Sequence, residues 1–280
     1  MNIFDTLKYN KFYRNRFFGF DFSTESKIAL INFINIPSKK DGAIEHHINQ
    51  FVNTYGINYM LVGGGDNVFA NVTIDNFNTF NFNGIKGLES WSDFNVLRTY
   101  INEMRTQYDI RYLIFRGICG GCWTALKVAR TMKLESMLMF TPALSMDDLE
   151  DQGFRLDQVH GGEFKRAFKH SIADKSELDT FPLMVELKNR GLKIDVHWAS
   201  RLDLPTLPPG EKLSDHYELH RTKKIEPKRN LRIHLHDLPM TYHTHLLHRY
   251  LTDSGKMHRM IKEEVHLANI YLNAQANSSS

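Results

Sequence analysis

The sequence predicts an α/β fold, a mostly parallel sheet with helices on both faces, formed as a single domain over residues 1–280. Three observations lead there. Short apolar runs alternate with segments of helical periodicity along most of the chain. Glycines stand where one gives way to the other. A content of 42% hydrophobic and 24% charged residues over 280 positions supplies one large core without disulfide staples.

After an aromatic and basic N-terminal segment, Lys27 to Ile34 reads as a buried strand. Residues Ala43 to Tyr55 follow as a helix with Ile44, Ile48, Phe51, Val52 and Tyr55 on one face, ended by Gly56. Ile57 to Val62 is a second strand, closed by Gly63, Gly64, Gly65 and Asp66. That glycine run lacks the Gly-x-Gly-x-x-Gly spacing and a helix behind it, so it reads as a tight loop rather than a phosphate cradle. Ser90 and Asp93 resemble a capping box for a helix carrying Phe94, Leu97, Ile101, Met104 and Tyr108.

An apolar strand begins at Tyr112 and runs into Gly117-Ile118-Cys119-Gly120-Gly121, then a helix packs through Ala125, Ala129 and Met132. Leu134 to Phe140 is the next strand, ended by Thr141-Pro142. From Asp147 to Thr180 the rhythm breaks into charged, weakly periodic sequence, a lid over a site or an irregular surface insertion. It resumes with a helix over Phe181 to Arg190 and a strand over Leu192 to Ala199. A loop with Asp203, a strand over Leu231 to Leu235 and a helix over about Lys256 to Leu272 complete the order, leaving a polar tail at 273–280 that composition marks as disordered.

Charge and cysteine usage exclude several function classes. A net charge of +3, from 35 basic and 32 acidic residues, is too weak to point to nucleic acid, and the basic stretch Arg221 to Arg232 reads as a solvated loop. There is no apolar signal segment at the start and no run of about 18 apolar residues, so a cytoplasmic protein that does not span a membrane is expected. Two cysteines separated by two glycines cannot cross-link a fold, which suits a reducing compartment. His234, His236, His243, His245 and His248 crowd the C-terminal third, but no Asp/Cys set completes a recognised ligand spacing, and no metal is expected.

The chemistry concentrates at Cys119. A strand that turns abruptly into a helix needs tiny neighbours, which Gly117, Gly120 and Gly121 supply, and pushes the central residue into the open. There the helix N-terminus favours thiolate, and its amides can hold an oxyanion. The same residues also spell Cys119-x-x-Cys122, a redox pattern, and two cysteines can equally serve as small buried apolar residues.

Taken together, residues from about Lys27 to Leu272 resemble the α/β-hydrolase superfamily. With its Gly-x-Cys-x-Gly box the chain is most similar to members of the dienelactone-hydrolase type and to polyester synthases. It also resembles hydrolase-like proteins of bacterial surface-polysaccharide systems. The resemblance implies a nucleophile, acid and histidine in that chain order. Cys119 would be the nucleophile and Asp203 the acid, with Asp215 in reserve; His243 would be the base, with His245 two residues away as the alternative. It further implies an oxyanion hole from the Gly120 N–H and an amide near Ile36 or Ser38, although residues 35–40 lack the His-Gly-Gly sequence that many esterases use there.

The implied activity is acyl transfer on a small ester or thioester through a Cys119 thioester, with no cofactor except an acyl-CoA donor as co-substrate. Transfer to a surface-polysaccharide sugar hydroxyl is the alternative to hydrolysis. Two further readings stay open: a Cys-x-x-Cys redox protein, and a non-catalytic interaction subunit built on the same fold.

Overall fold

The computed structural model describes residues 7, 10–14, 18–34, 43–63, 94–142, 144–145, 154–155, 179–201, 212–225, 230–239 and 245–278. Among these residues eight strands form one sheet: β1 (Phe12–Arg14), β2 (Phe18–Asp21), β3 (Ile28–Ile34), β4 (Asn58–Gly63), β5 (Tyr112–Ile118), β6 (Ser136–Phe140), β8 (Lys193–Arg201) and β10 (Leu231–Pro239). Their spatial order is β1-β2-β4-β3-β5-β6-β8-β10. Every pairing from β4 to β10 is parallel, and the hairpin of β1 and β2 joins antiparallel at the β4 edge. Two further strands, β7 (Phe154–Arg155) and β9 (Lys212–Leu213), pair with each other in a separate small sheet.

Parallel strands need crossovers, and the helices supply them on both faces. On one face lie α1 (Ala43–Tyr55), α6 (His245–Asp253) and α7 (Lys256–Ser278), packed through Ile48, Phe51, Leu247, Leu251 and Ile261. On the other lie α2 (Phe94–Gln107), α3 (Gly120–Ala129) and α4 (Phe181–Asn189), packed through Leu97, Ile101, Leu126 and Met184. Alternation along β5 divides its residues accordingly, Tyr112 and Ile114 toward the first layer, Leu113 and Phe115 toward the second. Covered twice, β3 and β5 have no solvent face to show, hence their apolar runs, broken only by Asn32 and Arg116.

Local signals place most boundaries. Gly56 adopts φ 64 and its N–H bonds the Val52 carbonyl at 2.9 Å, closing α1 as expected. Arg98 of α2 donates to the Val128 and Lys127 carbonyls at 2.9 and 2.6 Å, satisfying acceptors at the end of α3. Glu264 of α7, 3% exposed, accepts from Tyr112 Oη at 3.0 Å and pairs with Lys193, so one carboxylate fastens the last helix across β5 and β8.

Four expectations need correction or completion. The polar tail is not disordered throughout: α7 continues to Ser278, its last turns carrying side-chain bonds from Gln275 to Tyr271 and from Ser278 to the Gln275 carbonyl. The basic stretch is not one solvated loop either, since α5 (Ser214–Lys223) and β10 claim its two ends. Arg221 pairs with Asp179 at 2.5 Å and stacks on Phe181, while Arg232 grips Asp195. The N-terminal aromatics form the β1–β2 hairpin, with Phe18 and Phe20 fully buried against Tyr100. Most of 147–180 and the loop 64–66 lie outside the described residues. The ends of the former nevertheless meet, through a Ser145–Asp179 bridge and two bonds from Thr180 to the Leu144 carbonyl.

Candidate active site

Cys119 stands at the carboxyl end of β5, a central strand, with φ 54 and ψ −128. An L-residue reaches that region only at a cost of order 1–3 kcal/mol, so the surrounding contacts hold it there. Its N–H donates to the Phe140 carbonyl of β6 at 3.0 Å, and its carbonyl accepts the Cys122 N–H at 2.9 Å, the first turn of α3. Two glycines make the turn possible. A Cβ on Gly121 would lie 2.2 Å from the Phe33 carbonyl oxygen, and one on Gly117 would lie 2.7 Å from Cys122 Cα. Helix α3 therefore rests directly on the backbones of β3 and β5.

The two thiols differ in kind. Cys119 is half-buried, whereas Cys122 is fully buried beneath the helix. Burial pushes the Cys122 thiol well above its ordinary value, helped by the neighbouring Cys119 and opposed by the Phe140 carbonyl and Arg116. No disulfide joins them. A second strained residue, Thr141, neighbours the elbow at the end of β6, with φ 43, its N–H bonded to the His197 carbonyl at 2.8 Å and a buried hydroxyl without a partner among the described residues. Only the Thr141-Pro142 pair hinted at it in the sequence.

The expected partners of Cys119 are not brought together by described atoms. Asp203, His243 and Ile36 lie outside the described residues. His245 is the first residue of α6, and Asp215 lies in α5. Gly120, the expected oxyanion donor, is the first residue of α3.

The histidine crowd divides in two. His234 and His236 share one face of β10, as their spacing requires, and flank His197 of β8, with ring centroids 4.3 and 5.4 Å from it. His197 Nδ1 and His236 Nε2 are 3.1 Å apart, and His197 also stacks on Phe140 at 4.8 Å. Beside them Arg232 holds Asp195 through two bonds of 2.5 and 2.6 Å. Burial alone would raise the Asp195 carboxyl, but bonds from His234 and Arg232 outweigh it and hold it well below the carboxylate range. Among the described residues no group of three or more His, Cys, Asp or Glu is arranged to hold a metal ion.

Burial, then the neighbouring His234 and His236, lowers His197 to about 3. It stays neutral in the folded protein, while the unfolded chain takes up a proton below about pH 6.5. Its stabilising contribution is therefore complete above that pH and declines by about 1.4 kcal/mol per unit as pH falls toward the folded value. His197→Phe, which keeps the stack, is expected to lose about 1–2 kcal/mol less stability than wild type between pH 7 and pH 5, measured by urea unfolding. Parallel curves would refute this assignment.

The fifth histidine, His248 of α6, lies apart. Its Nε2 is 2.8 Å from Arg116 Nη2, and Arg116 is 2% exposed inside β5. An arginine within an otherwise apolar strand was the visible signal for this residue, which the sequence reading passed over.

Comparisons with known proteins agree with this architecture. No protein-family model matches the sequence, and no curated protein matches it. Among solved structures, an esterase from Pyrococcus furiosus is similar, with 13% identity, a TM-score of 0.50, and coverage of 88% of this chain and 83% of the other. A Glycosylation Associate Protein (Gap123) complex from Streptococcus agalactiae is similar at 12% identity and a TM-score of 0.52, over 88% of this chain and 44% of that one. With its mostly parallel eight-stranded sheet, helices on both faces and a strained residue at the strand-to-helix turn, the chain has the α/β-hydrolase fold.

Proposed function

We propose that the protein is an acyl-transfer enzyme of the esterase or thioesterase kind, working through a thioester on Cys119. The observation that carries this reading is the backbone of Cys119, held at φ 54 and ψ −128 at the turn into α3 with its thiol half-buried. A fold has no use for strain at that point unless it presents the side chain. The esterase among the structural neighbours is consistent with the reaction class.

In this mechanism His243, or His245, takes the Cys119 proton as the sulfur attacks the acyl carbonyl, and Asp203 holds the imidazole tautomer. The tetrahedral oxygen is stabilised by the Gly120 N–H at the positive end of α3 and by an amide near Ile36, each donor worth about 3 kcal/mol. Collapse expels the alcohol or thiol, which receives the imidazole proton. Water, or a hydroxyl activated by the same imidazole, then attacks the thioester and restores the free thiol. An acyl-CoA would serve as donor without a resident cofactor. A sugar hydroxyl as acceptor accords with the glycosylation-associated neighbour.

The burial of Cys122 weighs against a dithiol cycle, because a resolving thiol must be reachable as thiolate. No helix among the described residues is long and apolar enough to cross a membrane, so a substrate in water is the simpler case. The test is intact-mass measurement after incubation with activated acyl esters and acyl-CoA compounds. A single acyl adduct mapped to Cys119, released by water or an alcohol, is the expected result. Absence of any adduct across the panel, with Cys119 still alkylated by iodoacetamide, would exclude the thioester mechanism.

A further inference from the structure

Arg116 occupies β5 three residues before the nucleophile and is buried to 2% exposure. Among the described residues no carboxylate comes within ion-pairing distance of it. Its guanidinium instead reaches four other elements: Nη1 donates to Asn32 Oδ1 of β3 at 3.2 Å, Nη2 lies 2.8 Å from His248 Nε2 of α6 and 3.7 Å from Met257 Sδ of α7, and the group sits over the Phe51 ring of α1 at 5.8 Å. The Phe140 ring of β6, whose carbonyl holds the elbow amide, covers it at 5.3 Å. Among the described residues its Nε–H has no partner.

Stability does not account for a cation here. Desolvating a charge costs several kcal/mol, and replacing a buried ion by an apolar side chain of similar volume is often neutral or stabilising. What a guanidinium supplies that a methionine cannot is direction. It carries only donors, so His248 Nε2 must accept, which puts the ring proton on Nδ1 and fixes the imidazole plane. His248 in turn belongs to the first turn of α6, the helix that begins at His245 and follows directly on the segment holding His243.

We propose that Arg116 is a positioning residue for acyl transfer: through His248 it locks the start of α6, whose first residue is His245, onto the strand that presents Cys119. This rests on the thioester mechanism above. The two catalytic partners are far apart in the sequence, one following β5 and the other following β10, and no covalent link fixes their distance. A hydrogen bond between their supporting elements does, and an error of about 1 Å in such a distance can cost 100-fold in rate.

The experiment measures Cys119 acylation by nitrophenyl acetate against pH, with urea stability and iodoacetamide alkylation at alkaline pH alongside. Arg116→Met is expected to resist urea as well as wild type and to alkylate normally, but to acylate about 100-fold more slowly, with the imidazole limb of its pH profile diminished. His248→Leu should match it, His248→Gln, whose Oε1 can accept, should restore most of the rate, and the Arg116→Met/His248→Leu double variant should be no slower than either single change. If Arg116→Met does not fold, the Leu and Gln variants of His248 decide. Folded His248→Leu acylating at the wild-type rate overturns the proposal alone. Wild type that never acylates overturns the thioester mechanism, and the proposal with it.

Discussion

Cys119→Ser is expected to lose at least about a thousandfold in acyl turnover while unfolding in urea at the wild-type midpoint. The hydroxyl has nearly the shape of the thiol and suits the same turn, so the elbow persists. As an acid it is far weaker, and a helix N-terminus that in the proposed mechanism favours a thiolate would give little help to an alkoxide. Cys122→Ser should be close to silent in the same assay, since Cys122 faces the core and burial raises its thiol rather than activating it. Equal losses in the two variants at unchanged stability would argue for a dithiol cycle instead.

Gly121→Ala should have the largest effect of the alanine substitutions at Gly56, Gly117, Gly121, Gly191 and Gly255. The new Cβ would sit 2.2 Å from the Phe33 carbonyl oxygen and 2.6 Å from its carbon, and both belong to the backbone of a strand paired on both sides. Neither can swing away, so α3 must lift off β3, at about 3 kcal/mol or more. Gly56→Ala provides the contrast: nothing lies within 4 Å of its added Cβ, and only φ 64 opposes it, so about 1 kcal/mol is expected. Urea midpoints measure both. A Gly121→Ala protein as stable as Gly56→Ala would show that α3 does not lie on β3 so closely.

The pattern of residues made the central sheet legible because each strand there is buried on both faces. Ile28–Ile34 and Tyr112–Ile118 read as apolar runs interrupted only by Asn32 and Arg116, and α1 follows its Ile48 and Phe51 spacing. The elbow was legible for a different reason: only glycine fits where Gly117 and Gly121 stand, so steric necessity is written directly into the sequence. Where neither condition holds, the sequence is silent. α5 has a single fully buried apolar residue described, Leu219, among polar neighbours, and shows no helical stripe. The β1–β2 hairpin interrupts its aromatics with Arg14, Asn15 and Arg16. The candidate acid and base are known from the sequence by order alone, because loops after strands carry no periodicity from which a distance could follow. Arg116 shows the opposite case, a visible anomaly in β5 whose meaning required the three-dimensional neighbours of its side chain.

The strand order has a bearing on how the protein is made. Among the described strands, β1 to β6 are made before β8 and β10 and are also six adjacent strands of the sheet, to one side of which β8 and β10 add in the sequence of their synthesis. The sheet can thus grow outward from a finished nucleus with no strand inserted between two already paired. Cys119 lies within that nucleus, whereas His243 follows the last strand to arrive. Under the proposed mechanism the thiol is therefore built before the imidazole that would deprotonate it, and the nascent chain would carry an unassisted nucleophile. Until β8 docks, the apolar strand Ser136–Phe140 is an open edge that other chains could pair with.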